Sequence, residues 1–222
     1  MFNFFQSITQ KFRSTYHTRV APGDYEWDDS HHTPGVMPDL IEVIKSIGGR
    51  KMNHLDVGCG NGAITIPLSQ HFKDSTGADL SKKGILLAKK NGKKSNVKFI
   101  CSSIESLIKK KKKYDIVSAI EVIEHQYDPF KFLDLIKKIT KKNGYVLIST
   151  PYHGYFKNIL ISLLGLMDRH FTVLWTHGHI KFFSTKTLTM LAEYHKFKVA
   201  KIKYSGRFYP LSHSMIFLLK KI

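Results

Sequence analysis

Three alternate glycines stand directly behind a carboxylate in Asp56-Val57-Gly58-Cys59-Gly60-Asn61-Gly62. Glycine lets a backbone turn sharply and approach a ligand closely. Residues 54–57 before the loop read as a strand and residues 63–71 behind it as the start of a helix, whose N-terminus offers free N–H groups. Read alone, Gly58-x-Gly60-x-x-Ala63 also fits the dinucleotide fingerprint G-x-G-x-x-G/A. Asp56 separates the two readings. A carboxylate two residues ahead of the first glycine sits awkwardly beside a pyrophosphate and suits a cationic ligand, such as the amino group of a sulfonium amino acid. The third glycine at 62 gives G-x-G-x-G instead. A second carboxylate, Asp79 in Gly77-Ala78-Asp79-Leu80-Ser81, ends the next strand, where it can accept hydrogen bonds from ribose hydroxyls. Capping the following helix is the other use for Asp79, but Ser81 already fills that role.

A second group lies farther on, in Glu121-Val122-Ile123-Glu124-His125. A helical segment would set Glu121, Glu124 and His125 on one face at i, i+3 and i+4. Two carboxylates and an imidazole could hold a divalent cation such as Mg²⁺, although imidazole is not a preferred magnesium ligand. Alternatively His125, with an ordinary pKa near ~6.5, serves as a general base. The trio could also simply shape a pocket. The stretch 152–183 adds His153, Tyr155, Arg169, His170, Trp175, His177, His179 and Lys181. Trp175-Thr176-His177-Gly178-His179 lacks cysteine partners and the helical spacing of a zinc site, so a substrate-binding or packing role is expected for His153, Trp175 and His179.

These residues need a scaffold, and the hydrophobic pattern describes one. Leu40, Ile41, Ile44 and Ile47 sit at helical spacing, and Gly48-Gly49 stops that helix. Strands are expected at 54–57, 75–79, 97–101, 114–120 and 145–149. Helices are expected at 82–91, near 103–109 and at 128–139, with Asn143-Gly144 a turn before the fifth strand. Strands alternating with helices imply right-handed βαβ units and a parallel sheet covered on both faces. The rhythm breaks after Pro151. Ser184 then caps a helix to about 195, and two strands follow at 197–204 and 212–219. Their connection, holding Gly206 and Pro210, is too short for a parallel crossover, so the pair is expected to be antiparallel. Residues 1–37 read as an extension or lid, with aromatic clusters Phe2/Phe4/Phe5 and Tyr25/Trp27. Residues 38–222 read as the main domain, with a substrate cap at 152–183.

The 222 residues suffice for one α/β domain with a sizeable core. Lys plus Arg number 35 against 17 Asp plus Glu, a net charge of +18 that favours phosphates, acidic surfaces or anionic lipid headgroups. Many of the lysines come in runs, such as residues 109–113, which are ordinarily solvated faces and loop edges. Cys59 and Cys101 do not make a disulfide framework and fit a reduced, cytoplasmic setting. No stretch has the ~18 apolar residues of a membrane span. The nearly all-apolar run 156–167 suits a buried core or lid helix, or an interfacial helix lying on a membrane.

The ordered series Leu55-Asp56-Val57-Gly58-Cys59-Gly60-Asn61-Gly62, Gly77-Ala78-Asp79, Glu121-Val122-Ile123-Glu124-His125, Asn143-Gly144 and Ser149-Thr150-Pro151 resembles class I S-adenosylmethionine-dependent methyltransferases, and among them the ubiquinone-biosynthesis O-methyltransferases. The resemblance covers about residues 38–200. It implies a Rossmann-like, seven-stranded, mostly parallel sheet with an antiparallel last strand. It implies S-adenosyl-L-methionine as methyl donor, with Asp56, Gly58, Cys59, Gly60, Asn61, Gly62, Asp79, Leu80, Ser103, Ile104, Ile120 and Glu121 around it. Family members often carry an acidic residue where Ser103 stands, a departure at the adenine contact. The matching Glu-x-x-Glu-His residues of the ubiquinone-pathway enzymes are implicated in metal binding near the substrate, so Glu121, Glu124 and His125 are implied ligands for Mg²⁺, and Glu124 with His125 the implied catalytic pair. The family also has a histidine shortly before a Phe-Ser pair, matched by His179 with Phe183-Ser184. The expected acceptor is a small molecule, quinone precursor, sugar or lipid-linked compound, with peripheral membrane contact for a lipid-linked one. The positive charge suggests a nucleic-acid methyltransferase as a rival. Glu121–His125 stands where such enzymes carry an Asn-Pro-Pro-Tyr-type motif, which makes nucleic acid the weaker partner.

Overall fold

The structure is a computed structural model that describes residues 35–171 and 178–222. The aromatic clusters of the N-terminal extension, Trp175 and His177 lie outside the described residues. Helix α1 (Val36–Ser46) turns Val36, Leu40, Val43 and Ile44 inward, and Gly48 at φ 70° ends it. The chain then alternates: β1 (Asn53–Val57), α2 (Thr65–Ser69), β2 (Asp74–Asp79), α3 (Lys82–Asn91), β3 (Val97–Cys101), α4 (Ile104–Lys109), β4 (Tyr114–Ile120), α5 (Pro129–Ile139) and β5 (Thr140–Pro151). After the short helices α6 (Tyr155–Leu163) and α7 (Met167–Phe171) come α8 (Thr185–Tyr194), β6 (Phe197–Ser205) and β7 (Ser214–Lys221). Ser81, Ser103, Asp128 and Ser184 cap α3, α4, α5 and α8, each side chain accepting a first-turn N–H.

The seven strands form one sheet in the order β3-β2-β1-β4-β5-β7-β6. Pairs from β3 across to β5 are parallel, and β7 runs against both β5 and β6. Alternate residues feed two cores. Val117, Ala119, Val146, Ile148, Phe217 and Leu219 pack with α4, α5 and α8. Ile116, Ile120, Leu147, Ile216 and Leu218 pack with α1 and α2. Successive connections leave β1 and β4 in opposite directions, so a crevice opens beyond their carboxyl ends, the usual ligand position in an open α/β sheet.

Two local expectations are corrected. Asn143-Gly144 does not separate a turn from a strand. Asn143 adopts φ 57° within β5, and the pairing of β4 with β5 shifts register between Tyr114 and Ile116, so the extra residues are absorbed as an irregularity of one long strand. Residues 121–125 are not one helical face either. Glu121 sits at φ 54°, and only Ile123–His125 forms a 3₁₀ turn. A left-handed residue immediately after β4 breaks the helix before it can start.

The α1/α2 face of the sheet also carries a buried polar chain. The His54 ring stacks on Phe72 at 4.1 Å and is 1% exposed. Its Nε2 lies 2.7 Å from Ser118 Oγ and its Nδ1 3.2 Å from Ser75 Oγ. Ser118 donates its own proton to Asp56, so Nε2 must carry the hydrogen and Nδ1 accepts from Ser75. Burial holds the His54 pKa down at about 3. The unfolded chain therefore takes up a proton below the ordinary imidazole range that the folded chain refuses. Stability from neutral His54 is complete above about pH 6.5 and is lost as the pH falls toward about 3. On this basis the wild type should lose about 2 kcal/mol more than His54→Gln between about pH 7 and about pH 5, read by urea denaturation at both values. Equal losses would remove the buried neutral imidazole from the account of acid sensitivity.

Candidate active site

The glycine loop joins β1 to α2. Gly58, Gly60 and Gly62 adopt φ of 75°, 51° and 82°, a region that L side chains rarely enter. A methyl at Gly58 would approach Val122 Cγ2 to 2.6 Å, so glycine is needed there both for the turn and for the packing of the β4 connection. The amides of Gly58 and Cys59 both donate to the Ala78 carbonyl at 2.8 and 3.2 Å. The Asn61 carboxamide oxygen accepts from Ala63 N at 3.1 Å and closes the loop against the helix that follows.

Two carboxylates fix the loop from below and from the side. Asp56 is 2% exposed, and its oxygens accept from Ser118 Oγ and Thr65 Oγ1, each at 2.5 Å. Burial raises the Asp56 pKa to about 6 against the lowering effect of those two hydroxyls. Asp79 accepts from Gly60 N at 2.9 Å and from Ser81 N at 2.7 Å, which locks the middle of the loop to the end of β2.

Beside this junction lies a cavity of about 400 Å³ over the ends of β1 and β2. Gly58, Asp79, Leu80, Ser103 and Ile104, expected from the sequence to surround the methyl donor, line this cavity. Asp56, Cys59, Gly60, Asn61, Gly62, Ile120 and Glu121 do not line this cavity. Glu105, Gln126, Tyr127, Asp128 and Lys131 also line the cavity and were not singled out in the sequence. The cap at Ser103 places Glu105 in the first turn of α4, so the wall at that position carries a hydroxyl and a carboxylate from adjacent residues.

The second group sits beyond β4. Glu121 Oε1 accepts from Ser149 Oγ at 2.7 Å, and the Glu121 N–H donates to the same oxygen at 3.1 Å. Glu124 is fully buried, and among the described residues neither of its carboxylate oxygens nor the Thr150 hydroxyl makes a hydrogen bond of ordinary length, although Thr150 and Glu121 lie beside the carboxyl. Burial, then the neighbouring Glu121 charge, pushes the Glu124 pKa well above the usual carboxylate range. The cap chain returns to this point because the amides of Ile180 and Lys181 both donate to the Glu124 carbonyl at 3.0 Å. That pairing brings the His179 ring to 5.0 Å from the His125 ring, edge to face. Glu124, His125 and His179 each offer a ligand atom, and the three atoms lie within 4.8 Å of one another. The geometric trio thus contains His179, while the Glu121 carboxylate is engaged by Ser149. His179 was visible only as a histidine before Phe183-Ser184, because nothing local says that its chain folds back onto a 3₁₀ turn.

His153 is 7% exposed, and among the described residues neither ring nitrogen makes a hydrogen bond of ordinary length, with Asn158 beside it. Its ring lies 5.3 Å from His170 and 5.1 Å from Phe182. The expected site residues His153 and His179 therefore both face the interior of the cap region.

Known proteins bear on this arrangement. The chain is 32% identical over 143 residues to the ubiquinone biosynthesis O-methyltransferase of Coxiella burnetii strain RSA 493 / Nine Mile phase I, covering 63% of this chain and 60% of that protein. The protein of the same name from Pelagibacter ubique strain HTCC1062 is 30% identical over 154 residues, covering 67% and 62%. The chain thus spans about 60% of the length of the first of these relatives. Among solved structures, magnesium protoporphyrin IX methyltransferase from Synechocystis PCC 6803 with bound S-adenosylhomocysteine superimposes with a TM-score of 0.67 at 16% identity, covering 97% of this chain and 95% of that one. N-methyltransferase NodS from Bradyrhizobium japonicum WM9, also with S-adenosylhomocysteine, gives 0.61 at 14% identity over 94% and 97%. These two structures share the fold. A sequence model described as a methyltransferase domain matches residues 30–202, which include the glycine loop, both strand-end aspartates and the Glu121–His125 segment, and the chain belongs to that methyltransferase family.

Proposed function

We propose that the chain transfers a methyl group from S-adenosyl-L-methionine to a hydroxyl oxygen of a small acceptor. The observation that carries this reading is the junction of the glycine loop with Asp79 at the cavity wall, in a chain of this family. The names of the most similar curated relatives support oxygen as the acceptor atom. In this reading Asp79 accepts from the ribose hydroxyls, Leu80, Ser103 and Ile104 flank the adenine, and the loop faces the amino-acid end. Asp56 acts through the loop it supports. The acceptor oxygen attacks the methyl carbon in line with the departing sulfur, the sulfur–carbon bond breaks, and neutral S-adenosylhomocysteine leaves without an acid. The enzyme contributes mainly position.

The acceptor proton passes to His125 in this mechanism, beside a Glu124 whose burial and Glu121 neighbour favour its protonated form. Glu124, His125 and His179 also form a donor set of one carboxylate and two imidazoles, with neither Glu124 oxygen in a hydrogen bond of ordinary length among the described residues. That set suits a divalent transition ion such as Zn²⁺ or Mn²⁺ better than Mg²⁺, which prefers all-oxygen ligation. Such an ion, when bound, would lower the pKa of the acceptor hydroxyl.

A lipid-linked acceptor at a membrane surface is the finer version of the reading. The apolar run expected as one helix is split at Gly165, φ 62°, into α6 and α7. Tyr155, Phe156, Leu163 and Leu164 are exposed rather than buried in a core, and the chain is strongly cationic. No helix among the described residues is long and apolar enough to cross a membrane.

Three outcomes follow. Calorimetry should show S-adenosylhomocysteine binding in preference to NADPH, and Gly58→Ala should weaken it at least ~10-fold, since strain and the Val122 contact together cost on the order of 1–3 kcal/mol. With catechol as acceptor and labelled donor, His125→Asn should lower kcat by about 10²–10⁴. EDTA that leaves the wild-type rate unchanged would exclude the metal, and an unchanged rate in both His125→Asn and Glu124→Gln would exclude the base as well. Finally, Phe156→Ser/Leu163→Ser should lose co-sedimentation with vesicles containing anionic lipid, whereas retained binding would separate α6 from any membrane contact.

A further inference from the structure

Behind the Glu124–His125–His179 group lies a set of basic side chains that form no ion pair among the described residues, with Glu121 the one carboxylate whose charge acts on Lys157. Lys157 starts the inner side of α6. Its ammonium donates to the carbonyls of Tyr152 at 2.8 Å and Ser212 at 3.1 Å, and among the described residues it forms no ion pair. The loop that supplies Ser212 also supplies Arg207 and His213. Ser212 Oγ donates to the Arg207 carbonyl at 2.9 Å, and Tyr152 N donates to the His213 carbonyl at 2.9 Å, so the loop between β6 and β7 is fastened to the start of the cap. A methyl at Gly206 would stand 3.0 Å from His213 Cβ, which shows how closely the loop folds on itself. From the other side, α7 contributes His170, whose buried Nε2 makes no hydrogen bond among the described residues. Next to it is His153, more than nine-tenths buried, whose ring nitrogens make no hydrogen bond of ordinary length among the described residues, with Asn158 the polar side chain beside it.

This grouping differs from the lysine runs, which face water and need no counter-charge. Here burial, then the Arg207 charge, with Glu121 opposing both, lowers the Lys157 pKa to about 8. Lys157 in turn helps to hold His153, His170 and His213 below the ordinary imidazole range. A half-buried Lys157 ammonium beside the exposed Arg207 and His213, with the enclosed His153 and His170 rings making no hydrogen bond of ordinary length among the described residues, is an unfavourable arrangement that a bound anion relieves.

We propose that Lys157, His170, Arg207 and His213 form an anion subsite that receives a carboxylate or phosphate group of the methyl acceptor, with the reacting hydroxyl turned toward His125 and Glu124. His153, 5.3 Å from His170 and acted on by His179, stands between the two ends. The proposal rests on the O-methyltransferase reading and narrows its substrate class to acceptors that carry a negative charge away from the methylated oxygen.

The test uses the full chain saturated with S-adenosylhomocysteine. Calorimetric titration compares catechol, 3,4-dihydroxybenzoate and 3,4-dihydroxyphenyl phosphate, so that the neutral ring, the carboxylate and the phosphate are separate arms. At least one anionic catechol should bind ~10-fold or more tightly than catechol, and the better of the two identifies the group. Arg207→Gln and Lys157→Met should each bring that ratio down to about threefold or less. Arg207 is exposed and its replacement guards against a Lys157 variant that fails to fold, with S-adenosylhomocysteine affinity reporting the fold in both. Anionic catechols that bind no better than catechol overturn the subsite, as does a preference that survives in both variants. A wild type that does not bind S-adenosylhomocysteine overturns the methyl-donor reading itself, and the subsite with it.

Discussion

The fold around the site depends on one buried carboxylate. Asp56 ends β1 at the point where the sheet changes direction, and it is tied to α2 through Thr65 and to β4 through Ser118. Burying an ionised carboxylate costs several kcal/mol unless hydrogen bonds replace its water. Two short hydroxyl contacts do part of that, and a pKa held near 6 records the part they do not. Everything downstream of Asp56 inherits its position. The loop turns because glycine permits it, but it turns in this place because the strand beneath is fixed on both sides. His54 extends the same network to Ser75 on β2, so β2, β1 and β4 are joined by side chains as well as by their ladders. The cost is sensitivity to pH in opposite senses. Asp56 favours the folded chain when protonated, a contribution lost as pH rises through about 6, while His54 favours it when neutral.

The donor half and the acceptor half of the site are built by different means. The donor half uses regular structure: strand ends, a loop closed by Asp79, and the capped start of α4. The acceptor half uses interruptions. Glu121 in a left-handed conformation, a single 3₁₀ turn, and amides of Ile180 and Lys181 returning to one carbonyl bring Glu124, His125 and His179 together. Among the described residues most of the buried polar side-chain atoms without a hydrogen bond lie on this side, at Glu124, Thr150, His153, Asn158 and His170, with Asn53 and His195 elsewhere. Buried polar groups are ordinarily satisfied, so their concentration in one region marks a place shaped for something other than the protein's own packing.

That division explains what the sequence made legible. The strands at 97–101 and 114–120, the Ser81 and Ser184 caps, and the antiparallel final pair follow from period, caps and loop length, which are local. The residues proposed to hold the methyl donor stand out in the sequence because they lie within a few positions of a strand end. Local rules failed where tertiary contacts decide. Asn143-Gly144 has turn chemistry, yet pairing with β4 draws it into a long strand. Glu121, Glu124 and His125 have helical spacing, yet the backbone at Glu121 does not allow it. The run 156–167 has core composition, yet most of α6 faces outward. Lys157 is the single cation in that run, and its meaning appears only when the β6–β7 loop, some fifty residues away in sequence, folds against it.

The net charge illustrates the same point in energetic terms. A total of +18 describes the chain but not any site, because exposed lysines interact weakly through water. Lys157, partly removed from water and held between two carbonyls, is a different object from any residue in the 109–113 run. Its field acts over a short distance in a medium of lower effective dielectric, where one charge influences three imidazoles at once. In the proposed reading, specificity for an acceptor resides in one half-buried cation and the basic groups beside it, while the larger number on the surface sets solubility and attraction to anionic surfaces. In that reading the methyl donor depends on the sheet, through its strand ends, and the acceptor on the cap and the last loop, segments that can change without disturbing the two cores. A fold arranged this way can retain one donor site while its acceptor site is remade by substitutions confined to α6, α7 and the turn before β7.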